Sequence, residues 1–206
     1  MADRETALAV FEFIDSLRSE QYRIGDPTRD GAVAEMLAHL SDDAALRDAA
    51  CAKLISPGLE RMRFMLVANH DPNALPLFAS TSRKLWYQAD YNVREIANSE
   101  FHQDVPALLW RLSNCLRDPE RRVGVLEAAA YMSFMQGDDE RVFSGHLGRL
   151  AAVSPQGEVT RCLMDAHDHG QAPAWLMERS RTMNASESES VNESDRPGLM
   201  RRLFNR

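Results

Sequence analysis

Long apolar runs are missing from this sequence. No stretch approaches the roughly 18 to 20 consecutive apolar residues that a membrane-spanning helix needs. The first residues include the charged Asp3, Arg4 and Glu5, so we expect no secretory signal peptide there. These two absences together predict a cytoplasmic protein.

Cysteine is scarce as well. Cys51, Cys115 and Cys162 are odd in number and lie far apart, which argues against a disulfide framework. No C-x-x-C pair is present to begin a zinc site. Because each cysteine has apolar or helix-forming neighbours, we expect reduced thiols that are buried in the core.

Lysine is nearly absent. Lys53 and Lys84 are the only two, and the other basic residues are arginines, a bias typical of a GC-rich coding genome. The net charge is −7. This acidic balance argues against binding of duplex nucleic acid through the whole surface, because such binding needs many Lys and Arg contacts to phosphate.

Catalytic signatures are missing too. The sequence has no G-x-S-x-G, no glycine-rich phosphate loop and no H-E-x-x-H. A cysteine–histidine nucleophile pair stays open, because a fold can join such residues from distant segments. The balance of these absences favours a non-enzymatic protein without a cofactor.

No β pattern is visible either, since β-branched residues are few and no Asn-Gly or Asp-Gly turn separates alternating runs. Apolar residues recur instead at helical spacing, as at Leu8, Phe11, Ile14 and Leu17. We predict an all-α domain of antiparallel helical hairpins over residues 1–182. The predicted helices cover 4–22, 29–40, about 44–55, 56–69, 104–116, 119–135, 139–153, 156–168 and 174–182, with a less regular segment at 72–103.

Several helix starts are predicted from capping residues. Asp3 and Asp104 stand where a side chain accepts hydrogen bonds from the first turn. Ser56-Pro57 and Ser154-Pro155 are predicted to open helices, because serine caps a helix and proline suits its first turn. In the helix at 156–168, the apolar face is predicted to point inward and to include Val159, Leu163 and Met164.

Residues 128–155 are similar to one tetratricopeptide-like helical hairpin. The small residues Ala128, Ala129 and Ala130 let two helices approach, Gly137-Asp138 makes the turn, and Pro155 closes the unit. No repeat of this unit is found along the chain, so a repeat protein is not favoured.

The same half of the chain contains several motifs in a particular order. An earlier Ala45-Leu46-Arg47-Asp48-Ala49 is followed by Leu126–Tyr131, the turn at Gln136-Gly137-Asp138, Leu147–Leu150, Ser154-Pro155 and Ala172-Pro173. This order resembles the C-terminal helical half of the DUF4192 family, over Ala44 to Trp175. The resemblance implies an actinobacterial or actinobacterial-phage source and implies no activity, because the function of that family is unknown.

The polar cluster with the most closely spaced acidic and histidine residues is Asp165-Ala166-His167-Asp168-His169. On a helix Asp165 and His169 lie one turn apart, a spacing that can hold a divalent metal. The alternative is a polar helix end at which the imidazoles bind the last carbonyl groups. Because the sequence places no third ligand nearby, we favour the helix end and predict no metal site, with Asp165 and His169 as the weak candidate.

An aromatic group lies in the less regular segment at 72–103. Its aromatic rings and flanking cations are suited to stack on the bases of a single nucleic-acid strand. The alternative is a helix that packs its aromatic rings into the core and exposes its charges. The residues are Arg83, Lys84, Trp86, Tyr87, Tyr91 and Arg94.

The last part of the chain differs in composition. Residues 183–195 are rich in Ser and Glu and predict a disordered acidic linker. Residues 196–206, which we call the basic peptide, would form one apolar stripe as a helix, with the arginines largely off it. Such a peptide is typical of a docking motif or a weak membrane-surface anchor, or else it folds back on the acidic linker or body. The residues concerned are Leu199, Met200, Arg201, Arg202, Leu203 and Phe204.

These observations predict a helical adaptor that binds an unidentified partner protein through its surface and the basic peptide. Two alternatives stay open. One is a nucleic-acid-associated accessory protein that uses the region of Arg83 to Arg94 and the basic peptide, and the other is a metal-dependent enzyme at Asp165 and His169. The sequence predicts no oligomeric state.

Overall fold

The computed structural model describes residues 3–18, 22–69, 71, 101, 104–174, 176 and 177. Within these ranges the chain forms eight α-helices and no strand, so the all-α prediction is confirmed. The predictions for 72–100 and for the linker and the basic peptide lie outside them. No helix in the described part is both long and apolar enough to cross a membrane. The helices are α1 Arg4–Ser16, α2 Pro27–Asp42, α3 Ala44–Ile55, α4 Arg61–Ala68, α5 Val105–Ser113, α6 Pro119–Gln136, α7 Glu140–Val153 and α8 Glu158–Asp168.

The central element is α6, against which α2, α3, α5, α7 and α8 all pack. Every residue from Gly124 to Ala130 is buried, so this helix is surrounded by protein on all sides. The small side chains of Ala128, Ala129 and Ala130 allow the neighbouring helices to approach closely. The first core cluster joins α1 to α5 with one side of α6, and the second joins α6, α7 and α8.

The crossing of α2 and α6 leaves no room for a side chain at Gly124. A Cβ atom there would lie 2.5 Å from the backbone nitrogen of Ser41 and closer still to the carbonyl group of Leu40. The Ser41 hydroxyl donates to the carbonyl of Arg121 at 2.9 Å and accepts from the Gly124 N–H at 2.9 Å. Gly124 is therefore required by close backbone approach.

Most helices begin as their capping residues predict. Asp3 accepts from the Thr6 N–H at 2.7 Å, and Asp104 accepts from the Ala107 N–H at 3.1 Å. The first helix is shorter than predicted, because α1 ends at Ser16 rather than at residue 22. The same capping role is filled at α2, α3, α6 and α7 by Asp26, Asp43, Asp118 and Asp139.

The predicted helix starts at Ser56-Pro57 and at Ser154-Pro155 are both wrong. Ser56 ends α3 and α4 starts only at Arg61, while Ser154 ends α7 and α8 starts only at Glu158. At the first of these positions the reason is Lys53, whose Nζ atom is buried and donates to the carbonyls of Pro57 at 2.6 Å and Leu59 at 3.0 Å, as well as to Asp15 at 2.7 Å. Because the lysine binds these two carbonyls, the chain turns at residues 57 and 58 and does not begin a helix there.

The burial predictions for three residues are corrected. Cys51 is buried as predicted, but Cys115 and Cys162 are exposed. Cys115 lies just beyond the end of α5, and Cys162 lies beside the buried face of α8 rather than on it. Met164 was also predicted to face inward, yet 40% of its surface is exposed. The buried residues of α8 are Thr160, Leu163 and Ala166.

Candidate functional site

Among the residues predicted to form a site, the structure describes only Asp165 and His169. The aromatic group from Arg83 to Arg94 and the basic peptide fall outside the described residues. The other candidate residues lie on α4, α7 and α8.

The last turn of α8 holds the predicted polar cluster. His169 follows the helix, and its Nδ1 atom lies 2.8 Å from the carbonyl oxygen of Asp165 and 3.3 Å from the carboxylate oxygen of the same residue. The chain then turns at Gly170, which has a φ of +59°. The imidazole thus binds a carbonyl at the helix end, which is the arrangement that the sequence favoured.

The environment of His169 changes its titration. The hydrogen bond to the Asp165 carbonyl, together with the Asp165 charge, raises the pKa of His169 above its ordinary value. The raised pKa means that the protonated ring stabilises the fold at low pH. That contribution is present below about pH 6.5 and is lost as the pH rises through the pKa of the folded state.

We expect NMR titration of His169 in the Asp165→Asn protein to show a lower pKa than in the unchanged protein. The fall should be partial, because the backbone carbonyl remains in place and is the larger cause of the raised value. Asp168→Asn is the matched control and should lower the pKa less, since Asp168 contributes least of the groups that raise it. Equal effects of the two changes would contradict this assignment.

Asp165 and His169 form a set of two potential metal ligands. Among the described residues no group of three or more His, Cys, Asp or Glu side chains is arranged to hold a metal ion. Structural zinc sites in proteins use four protein ligands, and catalytic sites use three with an open position. The metal-dependent alternative therefore has no further support from the described residues.

A serine–histidine–aspartate arrangement that the sequence did not predict includes two residues of this cluster. Ser144 Oγ on α7 is 2.8 Å from His167 Nε2, and His167 Nδ1 is 3.5 Å from Asp168 Oδ1. The order of groups matches that of a hydrolase triad. However, Ser144 lies inside α7, where the backbone N–H groups are engaged in helical hydrogen bonds and offer no oxyanion hole. The pair therefore joins α7 to the end of α8.

A second unpredicted polar residue is His146 on α7. It is 5% exposed, and its Nδ1 atom has no hydrogen-bond partner among the described residues. Burial, with a smaller effect from Arg149, lowers the pKa of His146 below its ordinary value. The guanidinium of the same Arg149 is held over the Trp110 ring, 4.0 Å from its centre. Burial of His146 thus favours the neutral form of its imidazole.

The most exposed of the large apolar side chains in the described residues is on α4. Met62 is 68% exposed, and Leu66 one turn later is 40% exposed. The exposed Arg61 and Arg63 lie on the two sides of this pair. We call these four residues the α4 surface, and it combines apolar area with positive charge.

The solvent side of α8 has the opposite charge. Arg161, Met164, Asp165 and Asp168 follow one another at helical spacing and are all exposed. The side chains of Asp165 and Asp168 are 68% and 71% exposed. We call these four residues the α8 surface. It carries one exposed apolar side chain, two carboxylates and one guanidinium.

Neither of these surfaces was identified from the sequence. The helical pattern did predict which residues share a face, but it did not predict that Met164 lies on the outer one. Comparison with known proteins adds no further residue to the site. No family model matches this chain, and neither a curated protein nor a solved structure matches it.

Proposed function

We propose that this protein is a non-enzymatic helical adaptor, which binds a partner protein through its helical surface and the basic peptide. The observation that carries the proposal is the chemistry of that peptide, which joins four apolar residues to arginines directly after an acidic linker. Short docking motifs commonly have this composition and position. The α4 surface supports the proposal, because Met62 and Leu66 expose apolar area that a partner would cover.

A comparative pull-down from host lysate tests the proposal. Full-length protein is compared with a chain that ends at Thr182 and with the full-length Leu203→Asp/Phe204→Asp variant. Partners that depend on the peptide should be lost from both, because charges on the apolar stripe prevent its burial. Asn205→Asp, which adds one charge outside the stripe, should retain them. Identical partner sets for all four proteins would exclude a role of the peptide.

The nucleic-acid alternative is supported by the aromatic and basic residues at Trp86, Tyr87 and Arg94. It predicts a shift of labelled single-stranded DNA at low salt that weakens steeply as salt is added. Absence of binding at low salt to both single-stranded and duplex DNA would reject this alternative.

The proposal also includes a cellular location. The odd number and wide separation of the cysteines favour a reducing compartment, so we place the protein in the cytoplasm. The likeness to the DUF4192 family and to a tetratricopeptide-like hairpin is part of the same proposal. The contact between α6 and α7 across the turn at Gly137 supports the hairpin.

A further inference from the structure

We infer that the basic peptide docks on the α8 surface of its own chain, and that a partner protein has to displace it. This inference rests on the proposed function, because it assigns a resting position to the peptide through which the partner is bound. The surface consists of Arg161, Met164, Asp165 and Asp168, as defined above.

Charge complementarity is the first argument. The basic peptide contains no acidic residue and carries Arg196, Arg201, Arg202 and Arg206. On the α8 surface the carboxylates of Asp165 and Asp168 are mostly exposed, and they follow the apolar Met164 by one and four residues along the helix. An apolar stripe with arginines beside it therefore meets an apolar side chain with carboxylates beside it.

The α4 surface exposes more apolar area than the α8 surface, but its charge excludes the peptide. Met62 and Leu66 expose more apolar area than Met164 does. However, Arg61 and Arg63 on both sides of them would repel the arginines of the peptide. Opposite charges across a contact select the right partner and suppress the wrong one. The peptide is thus directed to α8, and α4 stays open to a partner.

The path of the chain is the second argument. Leu176, near the end of the described residues, packs against the second core cluster, to which Leu163 and Ala166 of α8 belong. The 13 residues from 183 to 195, for which the composition predicts a disordered linker, precede the peptide. A disordered chain of 13 residues has a typical end-to-end distance of about 20 Å, and α8 itself is about 17 Å long. The peptide therefore reaches the whole α8 surface.

Tethering allows a small contact to be occupied. A peptide on a short flexible linker has an effective concentration in the millimolar range at a site within reach. One exposed methionine and two carboxylates would give only weak binding to a free peptide. Within one chain the same contact is formed for a large fraction of the time, while a tighter partner still displaces it.

Arg161 opposes the docked state, since it lies on the same surface and has the same charge as the peptide. Two opposite changes in the charge of the α8 surface therefore test the inference. Removal of the carboxylates should release the peptide, whereas removal of Arg161 should hold it more firmly.

Pulsed dipolar EPR on the full-length protein measures the docking directly. Cys162 is exposed on α8 and takes one spin label, Asn205→Cys takes the second, and Cys115→Ser removes the other exposed thiol. Cys51 is buried and stays unlabelled. We expect a population with a label separation below about 20 Å, because a docked helix lies within one helix diameter of α8.

Three variants decide the outcome. Asp165→Asn/Asp168→Asn should replace the short separation by a broad distribution at longer distances, as a peptide on a free linker gives. Arg161→Gln should increase the docked fraction. Glu5→Gln/Glu12→Gln removes the same amount of charge from α1 and should change nothing. A broad distribution in the unchanged chain, or equal effects of the α8 and α1 pairs, would overturn the inference.

Singly labelled chains that are mixed before measurement provide the last control. An intermolecular dipolar signal would show that the peptide binds a second copy, which also overturns docking within one chain. These measurements need no partner. A short EPR distance together with a pull-down that finds no peptide-dependent partner would reject the proposed function and leave the docking intact. A peptide-dependent partner together with a broad EPR distribution would reject the docking and leave the proposed function intact.

Discussion

Gly124→Ala should lower the free energy of unfolding by about 3 kcal/mol or more, at the upper end of what overpacking costs. The new methyl group would meet the backbone of Leu40 and Ser41, which cannot rotate away as a side chain can. The intrinsic helix preference of alanine over glycine, about 1 kcal/mol, offsets only part of this loss. Urea denaturation followed by circular dichroism measures the change.

Gly148→Ala in α7 is the matched control. Gly148 is also inside a helix, but a Cβ atom there meets no heavy atom within 4 Å. We expect a gain of up to about 1 kcal/mol, because alanine restricts the unfolded chain and favours the helix. Equal stability changes for the two substitutions would show that α2 and α6 do not cross as closely as described.

Arg47→Met should lower the free energy of unfolding by about 3 to 5 kcal/mol, as is typical when one partner of a buried ion pair is removed. Arg47 on α3 lies 2.7 Å from the Glu127 carboxylate on α6, and the Glu127 side chain is only 5% exposed. The variant leaves this carboxylate buried without its cation. Arg47→Met/Glu127→Met should recover most of the loss, since an apolar pair of similar volume replaces the buried charges.

The same pair gives a pH dependence with a defined sign. Burial raises the pKa of Glu127, and Arg47 lowers it in part. Without Arg47 the pKa of the folded state rises further above the unfolded value of about 4.3. The folded Arg47→Met protein then binds more protons than the unfolded chain, so its stability increases as the pH falls through the folded pKa.

Denaturation at pH 7 and pH 5 measures this effect. The stability difference between the unchanged protein and Arg47→Met should be smaller at pH 5. A difference that is constant or grows on acidification would contradict the assignment of a buried, unpaired Glu127 carboxylate in the variant.

Local features were predictable from the sequence because their causes are local. A capping aspartate such as Asp3 or Asp104 satisfies an N–H group three residues away, and apolar spacing identifies a buried face within one helix. The polar end of α8 was predictable for the same reason, since Asp165 and His169 are one turn apart.

Features that depend on contacts between helices were not predictable. Lys53 is 1% exposed, although lysine is almost never fully buried. Because it donates hydrogen bonds to the carbonyls of Pro57 and Leu59, the next helix starts at Arg61 and not at Ser56. The Ser144–His167 pair depends on how α7 and α8 align, which no spacing rule fixes. Met164 shares an apolar pattern with Leu163, yet only the packing of α8 decides which of them is buried.

The central position of α6 has a consequence for synthesis of the chain. The contacts of Ser41 with Arg121 and of Arg47 with Glu127 each join residues 80 positions apart. At about 5 to 20 residues per second, a ribosome needs roughly 4 to 16 seconds to add that many residues. During this interval α2 and α3 have been made but the helix that covers them has not. The nascent chain therefore exposes the apolar side of its first half for seconds, and it is in this window that a chaperone would bind it.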